Sequence, residues 1–117
     1  MKPSAAADRI YLAHMLDCID RVFEYAGGDE ERFRGSRLVQ DAIVRNLQTL
    51  AESSQRLSDP IKATEPGTPW RAIAGFRNIL VHDYLALDLD AVWLVVSREL
   101  PPLQDALKRM CSSAAQT

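Results

Sequence analysis

AVWLVVS, running from Ala91 to Ser97, is the stretch on which the fold class turns. Three valines, a tryptophan and a leucine in seven residues suit a strand as well as they suit a buried helix. No other segment offers this stretch a partner strand, and an isolated strand leaves its backbone N–H and C=O groups unsatisfied. It is therefore read as a helix from about Asp90 to Glu99. Pro101-Pro102 ends that helix, and a short further helix carries Leu103, Leu107 and Met110.

With that segment helical, the rest of the chain reads as an all-α bundle of about five helices built on two long antiparallel ones. Leu12, Met15, Leu16, Ile19, Val22, Phe23 and Ala26 recur at helical spacing from about Asp8 to Ala26, where Gly27-Gly28 stops the helix. GGDEERFRG reads as a charged, solvated connector, in which Asp29, Glu30 and Glu31 largely cancel Arg32, Arg34 and Arg37. Ser36 can cap a second long helix whose buried stripe is Val39, Ile43, Leu47, Leu50 and Leu57, with Asp41 and Arg45 four apart. Asp59-Pro60 closes it near Ser58, and Pro60, Pro66, Gly67 and Pro69 mark an ordered crossover loop.

Thr68-Pro69 is a helix start, a capping hydroxyl followed by proline at the first helical position. The helix it opens, within Trp70 to Tyr84 (WRAIAGFRNILVHDY), places Ile73, Phe76, Leu80 and Tyr84 on one face with Arg77 in the middle of it. An arginine on an apolar stripe must be paired, or must look into a cleft or across an interface. Arg77, Asn78, His82 and Tyr84 thus form the candidate functional cluster.

At 117 residues the chain has the size of one domain with one core, and 47% apolar and 26% charged residues are ordinary for a soluble protein. The first seven residues and the last six are expected to be flexible. Pro3, Asp8 and Arg9 interrupt the place where the apolar run of a signal peptide would lie, and no stretch approaches a membrane span. Cys18 and Cys111 lack the paired spacing of a zinc site, which fits reduced thiols in the cytoplasm. A net charge of −2 does not advertise a nucleic-acid binder, so any such role needs locally concentrated positive charge.

Arginine and histidine suit phosphodiester chemistry. Histidine titrates near neutral pH and can take a proton from an attacking hydroxyl or give one to a leaving oxygen. Arginine offers permanent donors to the non-bridging oxygens as charge builds on them. In RNA the 2′-hydroxyl is a built-in nucleophile, and the sequence has no carboxylate or histidine cluster of metal-ligand spacing, so neither metal nor other cofactor is expected. On an ideal helix, however, Arg77 and His82 point ~140° apart, whereas Asn78 and His82 share a face. Either the helix ends or distorts near Val81, or the pair is completed across a two-fold axis, which would also double the arginines in one cleft. A purely structural account of the same residues has Arg77 buried against Asp41 or Glu52, and His82 as a cation at a helix C-terminus. His14, with no partner in sequence, reads as structural.

The run from Gln40 to Leu107 closely resembles the HepT family of HEPN-domain ribonuclease toxins. It does so through the VRNL segment (Val44–Leu47), the Pro69-Trp70 helix start, the block from Ile73 to Tyr84, the acidic segment before Val92-Trp93 and the Leu100–Leu103 close. The resemblance implies an α-helical homodimer, with higher oligomers open, in which two R-x4-H-x-Y motifs line one cleft and cut RNA without metal to leave a 2′,3′-cyclic phosphate. It makes Arg77 and His82 the catalytic pair and Asn78 their polar neighbour. Tyr84 becomes the tyrosine that a cognate MntA-type nucleotidyltransferase antitoxin modifies with AMP, blocking the cleft by bulk and charge. Relatives often have Gly-Glu-Ala where this chain has Ala51-Glu52-Ser53, a change that leaves Glu52 available to orient an arginine. The alternative is a non-catalytic HEPN subunit that binds nucleotide or RNA and docks a nucleotidyltransferase.

Overall fold

The structure, a computed structural model, describes residues 5–76, 81–83 and 86–115. Its elements in chain order are α1 (Ala5–Ala26), α2 (Glu30–Gly35), α3 (Arg37–Arg56), α4 (Asp59–Ala63), α5 (Trp70–Ala74), β1 (Val81–Asp83), β2 (Ala86–Leu87), α6 (Leu89–Leu94), a π-helical turn (Val95–Glu99) and α7 (Leu100–Ala115). The fold is all-α, with a minimal antiparallel ribbon pairing Val81 with Leu87 and Asp83 with Ala86.

The long helices form where the apolar periodicity placed them. On α1 the fully buried positions are Leu12, Met15, Ile19 and Val22, and on α3 they are Ile43, Leu47, Leu50 and Ala51. These two stripes pack on each other along most of their length, and α7 lies against α1 with Leu103, Leu107 and Met110 inward. α1 starts at Ala5 rather than at Asp8, and α7 carries helix to Ala115, so part of each expected loose end is helical. Among the described residues no helix is long and apolar enough to cross a membrane.

The antiparallel register of α1 and α3 is locked at one end by a buried carboxylate. Asp8, 6% exposed in the first turn of α1, accepts from the Ser58 backbone N–H at 2.9 Å and from the Ser58 hydroxyl at 2.6 Å. The same hydroxyl accepts from Ile61 N–H and caps α4, so Ser58 acts as donor and acceptor at once. A charged acceptor in the first turn is also favoured by the helix dipole.

Four sequence expectations need correction. GGDEERFRG is not a solvated loop: Asp29 caps α2 by accepting from Arg32 N–H, and Phe33 on it is fully buried, its ring 5.3 Å from that of Trp93. The single large apolar residue outweighs its five charged neighbours, because one helical turn can bury one face and solvate the other. Second, Thr68 does not cap α5; Pro69 occupies the cap position and its carbonyl accepts from Ile73 N–H. Third, the helix does not run on to Tyr84. α5 ends at Ala74, seven residues before Val81, with Gly75 as its cap, and backbone at Val81–Asp83 is extended.

Finally, Pro101-Pro102 does not divide α6 from α7. The backbone stays helical from Leu89 to Ala115 because Val95–Glu99 is wound as a π-turn, in which Leu100 N–H reaches the Val95 carbonyl. Two consecutive prolines withhold the N–H groups due to Ser97 and Arg98, and their rings would press on those carbonyls in an α-helix. A wider turn before them relieves the conflict at the cost of a local distortion. The strand-like AVWLVVS is therefore helical throughout.

Removing the Asp8 carboxylate by Asp8→Ala should leave two Ser58 donors unpaired and lower the unfolding free energy by about 2–4 kcal/mol. Asp8→Asn, which keeps an acceptor, should lose less than half as much. Urea denaturation of both variants measures the difference.

Candidate functional site

The candidate motif lies in the chain between two anchored points. On its N-terminal side, Trp70 opens α5 and its indole N–H donates to the Lys62 and Glu65 carbonyls at 3.2 and 3.3 Å, pinning the crossover to the helix it precedes. Ile73 and Phe76, each 3% exposed, then fix the chain in the core immediately before Arg77, with α5 packed on α3. On the C-terminal side Asp88 caps α6 by accepting from Ala91 N–H. α6 is tied to α2 by the Phe33–Trp93 ring contact and by Arg34, which donates to Asp90 and to Glu30 at 2.7 Å each. Gln40 completes this corner by donating from its amide to the Phe33 and Arg34 carbonyls.

Of the expected site residues, Arg77, Asn78 and Tyr84 lie outside the described residues. His82 is the middle residue of β1, and its side chain is likewise outside the description. Because backbone at 81–83 is extended, the ~140° separation calculated for a continuous helix does not apply to Arg77 and His82. Glu52 is an exposed residue of α3 and makes no hydrogen bond or ion pair among the described residues. The expected alternative partner Asp41 is exposed on the same helix, as is His14 on α1. Cys18 and Cys111 are free thiols whose pKa values are raised by burial, for Cys18 with a smaller contribution from Asp17.

Beside the motif's first anchor lies a cleft of about 230 Å³ that no local pattern of residues announces. It opens between the crossover loop with α5 on one side and the π-turn with the start of α7 on the other. Its apolar lining includes Ile73, Pro102 and Leu103, and its polar lining includes Glu65, Glu99 and Arg109. Arg109 grips Glu65 with two nitrogens, Nη2 at 2.7 Å and Nε at 3.1 Å. The guanidinium holds the Glu65 carboxyl below the usual carboxylate range through these hydrogen bonds. Glu65 and Arg109 are 44 residues apart, so no local pattern could have announced them.

The sequence model of the ribonuclease HepT-like family matches residues 15–110, from within α1 to within α7. The chain belongs to the ribonuclease HepT-like family. A protein of Thermococcus cleftensis named a probable ribonuclease HepT is 27% identical over 101 residues, covering 86% of this chain and 92% of its own length. The mRNA nuclease HepT of Shewanella oneidensis is 28% identical over 113 residues, covering 76% and 84%. A Methanocaldococcus jannaschii protein, whose name pairs gamma-glutamylcyclotransferase with an RNase designation, is 30% identical over 103 residues. That match takes in 87% of this chain but only 46% of the relative, so the chain spans under half of that protein. No solved structure matches the chain significantly.

The Glu65–Arg109 pair carries a pH signature. A carboxyl whose pKa is depressed on folding stabilises the fold at any pH above its ordinary value of about 4.3, and that contribution is lost as the pH falls through the folded pKa. Wild type should therefore melt above Glu65→Gln at neutral pH, and the two melting temperatures should converge as the pH is lowered through the carboxylate range. Thermal melts between neutral pH and pH 3 or so provide the comparison.

Proposed function

We propose that this HepT-like chain is an endoribonuclease toxin that cuts RNA without a metal ion, acting as a cytoplasmic homodimer paired with an MntA-type nucleotidyltransferase antitoxin. The observation that carries the reading is the family match across residues 15–110, which takes in the complete Arg77, Asn78, His82 and Tyr84 constellation. Family membership supports the ribonuclease class. The roles of individual residues follow from their chemistry and from the resemblance of the motif.

In this mechanism the 2′-hydroxyl oxygen of one nucleotide attacks the adjacent phosphorus and the 5′-oxygen of the next nucleotide leaves. The products are a 2′,3′-cyclic phosphate and a 5′-hydroxyl. His82 removes the 2′-hydroxyl proton or supplies one to the leaving oxygen, and a second imidazole from the partner protomer can take the other task. Arg77 donates to the non-bridging oxygens as negative charge accumulates on them in the transition state. Asn78 and, through an arginine, Glu52 would position these groups. The end of α5 and the extended backbone at Val81–Asp83 support the reading, since they free His82 from a helix that would hold it away from Arg77. Arginines supplied by two protomers would offset the chain's net charge of −2 at the cleft.

Purified, unmodified protein should cleave RNA in the presence of a chelator. His82→Ala and Arg77→Ala should each reduce the rate by roughly 10²–10⁴-fold, the usual worth of a general acid–base group or a transition-state donor. Undiminished cleavage by both variants would overturn the mechanism, and RNA that binds but stays intact would identify the non-catalytic binding subunit instead.

Tyr84 is the proposed point of control. An adenylyl group on its hydroxyl adds bulk and a phosphodiester charge where the substrate phosphate must sit. Co-expression with the cognate nucleotidyltransferase should raise the intact mass by one or more adenylyl units and silence cleavage. A mass shift that persists in Tyr84→Phe would refute the assignment.

A further inference from the structure

The cleft between the crossover loop and the π-turn has no part in the chemistry assigned to Arg77 and His82, yet its lining is that of a binding site. Ile73 and Leu103, each 3% exposed, and Pro102 present apolar surface, and the volume of about 230 Å³ is below that of a drug-sized pocket and suits a single flat ring system. Two kinds of polar group meet there. Glu99, exposed on the π-turn, makes no hydrogen bond or ion pair among the described residues, so both of its oxygens are available as acceptors. Arg109 has only part of its fork engaged by Glu65, which leaves further N–H donors in the same cleft.

The position is as telling as the lining. Ile73 is four residues from Arg77, and four residues of chain cannot span more than about 14 Å even when extended. A ligand in the cleft is therefore within reach of the nucleotides flanking a phosphate held at Arg77. A free carboxylate repels phosphate and accepts from N–H groups, so a base edge rather than the backbone would face Glu99. Single-stranded RNA is read in this way, by splaying a base onto an apolar or planar surface and hydrogen-bonding its edge. Among the four bases only guanine presents two neighbouring N–H donors, N1 and N2, to the two oxygens of one carboxylate. Its O6 lies next to them and accepts, matching an arginine donor.

We propose that this cleft is a guanine-selecting subsite of the RNA path, with Glu99 accepting from N1–H and N2–H, Arg109 donating to O6, and Glu65 holding Arg109 in place. It rests on the ribonuclease reading for its place in catalysis, although guanine binding by the cleft can be measured without any cleavage. The pairing of the carboxylate with two donors is also what sets guanine apart from inosine, which lacks the N2 amino group, and from adenine, whose edge puts an acceptor at N1.

Guanosine should bind the full chain and shift the methyl resonances of Ile73 and Leu103, whereas inosine should bind roughly tenfold more weakly and adenosine more weakly still. Glu99→Gln, which keeps shape but only one acceptor, should weaken guanosine by about tenfold or more. Gly67 lines the same cleft, has open space where a Cβ would stand and has no positive φ. Gly67→Leu should therefore fold normally, keep its melting temperature and lose guanosine binding. Equal binding of guanosine and adenosine, absence of the methyl shifts, or full binding by Glu99→Gln would each overturn the proposal. In a second arm, otherwise identical RNA oligonucleotides carry a single guanosine at successive positions, and a preferred distance from guanosine to the cut should appear in wild type and fade in Glu99→Gln. Cleavage with no guanosine preference, and no methyl shifts, would sink the subsite while leaving the ribonuclease standing. Guanosine binding in a protein that cuts no RNA would preserve the cleft and remove the ribonuclease reading.

Discussion

The Asp8–Ser58 contact governs more of this structure than its size suggests. A carboxylate at the start of α1 is buried against a serine at the end of α3, and burying a charge is tolerated only because both of its oxygens are satisfied. That requirement sets the axial register of the two long helices more sharply than their apolar stripes could, since hydrophobic packing tolerates sliding where a hydrogen-bonded charge does not. From Ser58 the constraint passes along the chain. The serine hydroxyl caps α4, the Lys62 carbonyl of α4 receives the Trp70 indole, and Trp70 begins the helix that delivers Ile73 to the core, with Phe76 buried just after it.

The other side of the motif is held by different physics. Phe33 inserts from a six-residue helix and meets Trp93, while Arg34 of the same helix binds Asp90. The apolar contact provides most of the attraction, and the exposed ion pair adds direction more than energy. Together with the Asp88 cap, these contacts fix where α6 begins. The segment that carries the candidate side chains is thereby flanked by two well-packed attachments.

The long helix from Leu89 to Ala115 shows how a local conflict is resolved by geometry rather than by a break. Two prolines would be expected to end it, and the π-turn before them lets it continue. The continued helix packs along α1 and adds Leu103, Leu107 and Met110 to the core that α1 and α3 share. The same turn carries Glu99 to the edge of the cleft. A feature forced by proline chemistry thus contributes a free carboxylate to a surface that faces the motif's anchor.

How much of this was legible in the residues depends on the range over which each feature is decided. The long helices, their buried stripes, the Ser36 cap and the helical state of AVWLVVS follow from periodicity, capping chemistry and the absence of a partner strand, all of which act within a few residues. The cluster of Arg77, Asn78, His82 and Tyr84 was visible because polar residues on an apolar face are anomalous wherever the chain goes. Phe33 was missed because one aromatic among charges has no period, and its burial depends on Trp93, 60 positions away. The prolines at 101 and 102 were misjudged because the stabilisation that outweighs their local cost comes from α1. Nor could sequence pair Asp8 with Ser58 or Glu65 with Arg109, since a hydrogen bond or ion pair between distant residues exists only once packing has brought them together. The sequence by itself determined an all-helical chain and the residues that carry its chemistry. Tertiary structure alone decided the register, the cleft and the points from which the motif is hung, because each depends on groups that are neighbours in space and strangers along the chain.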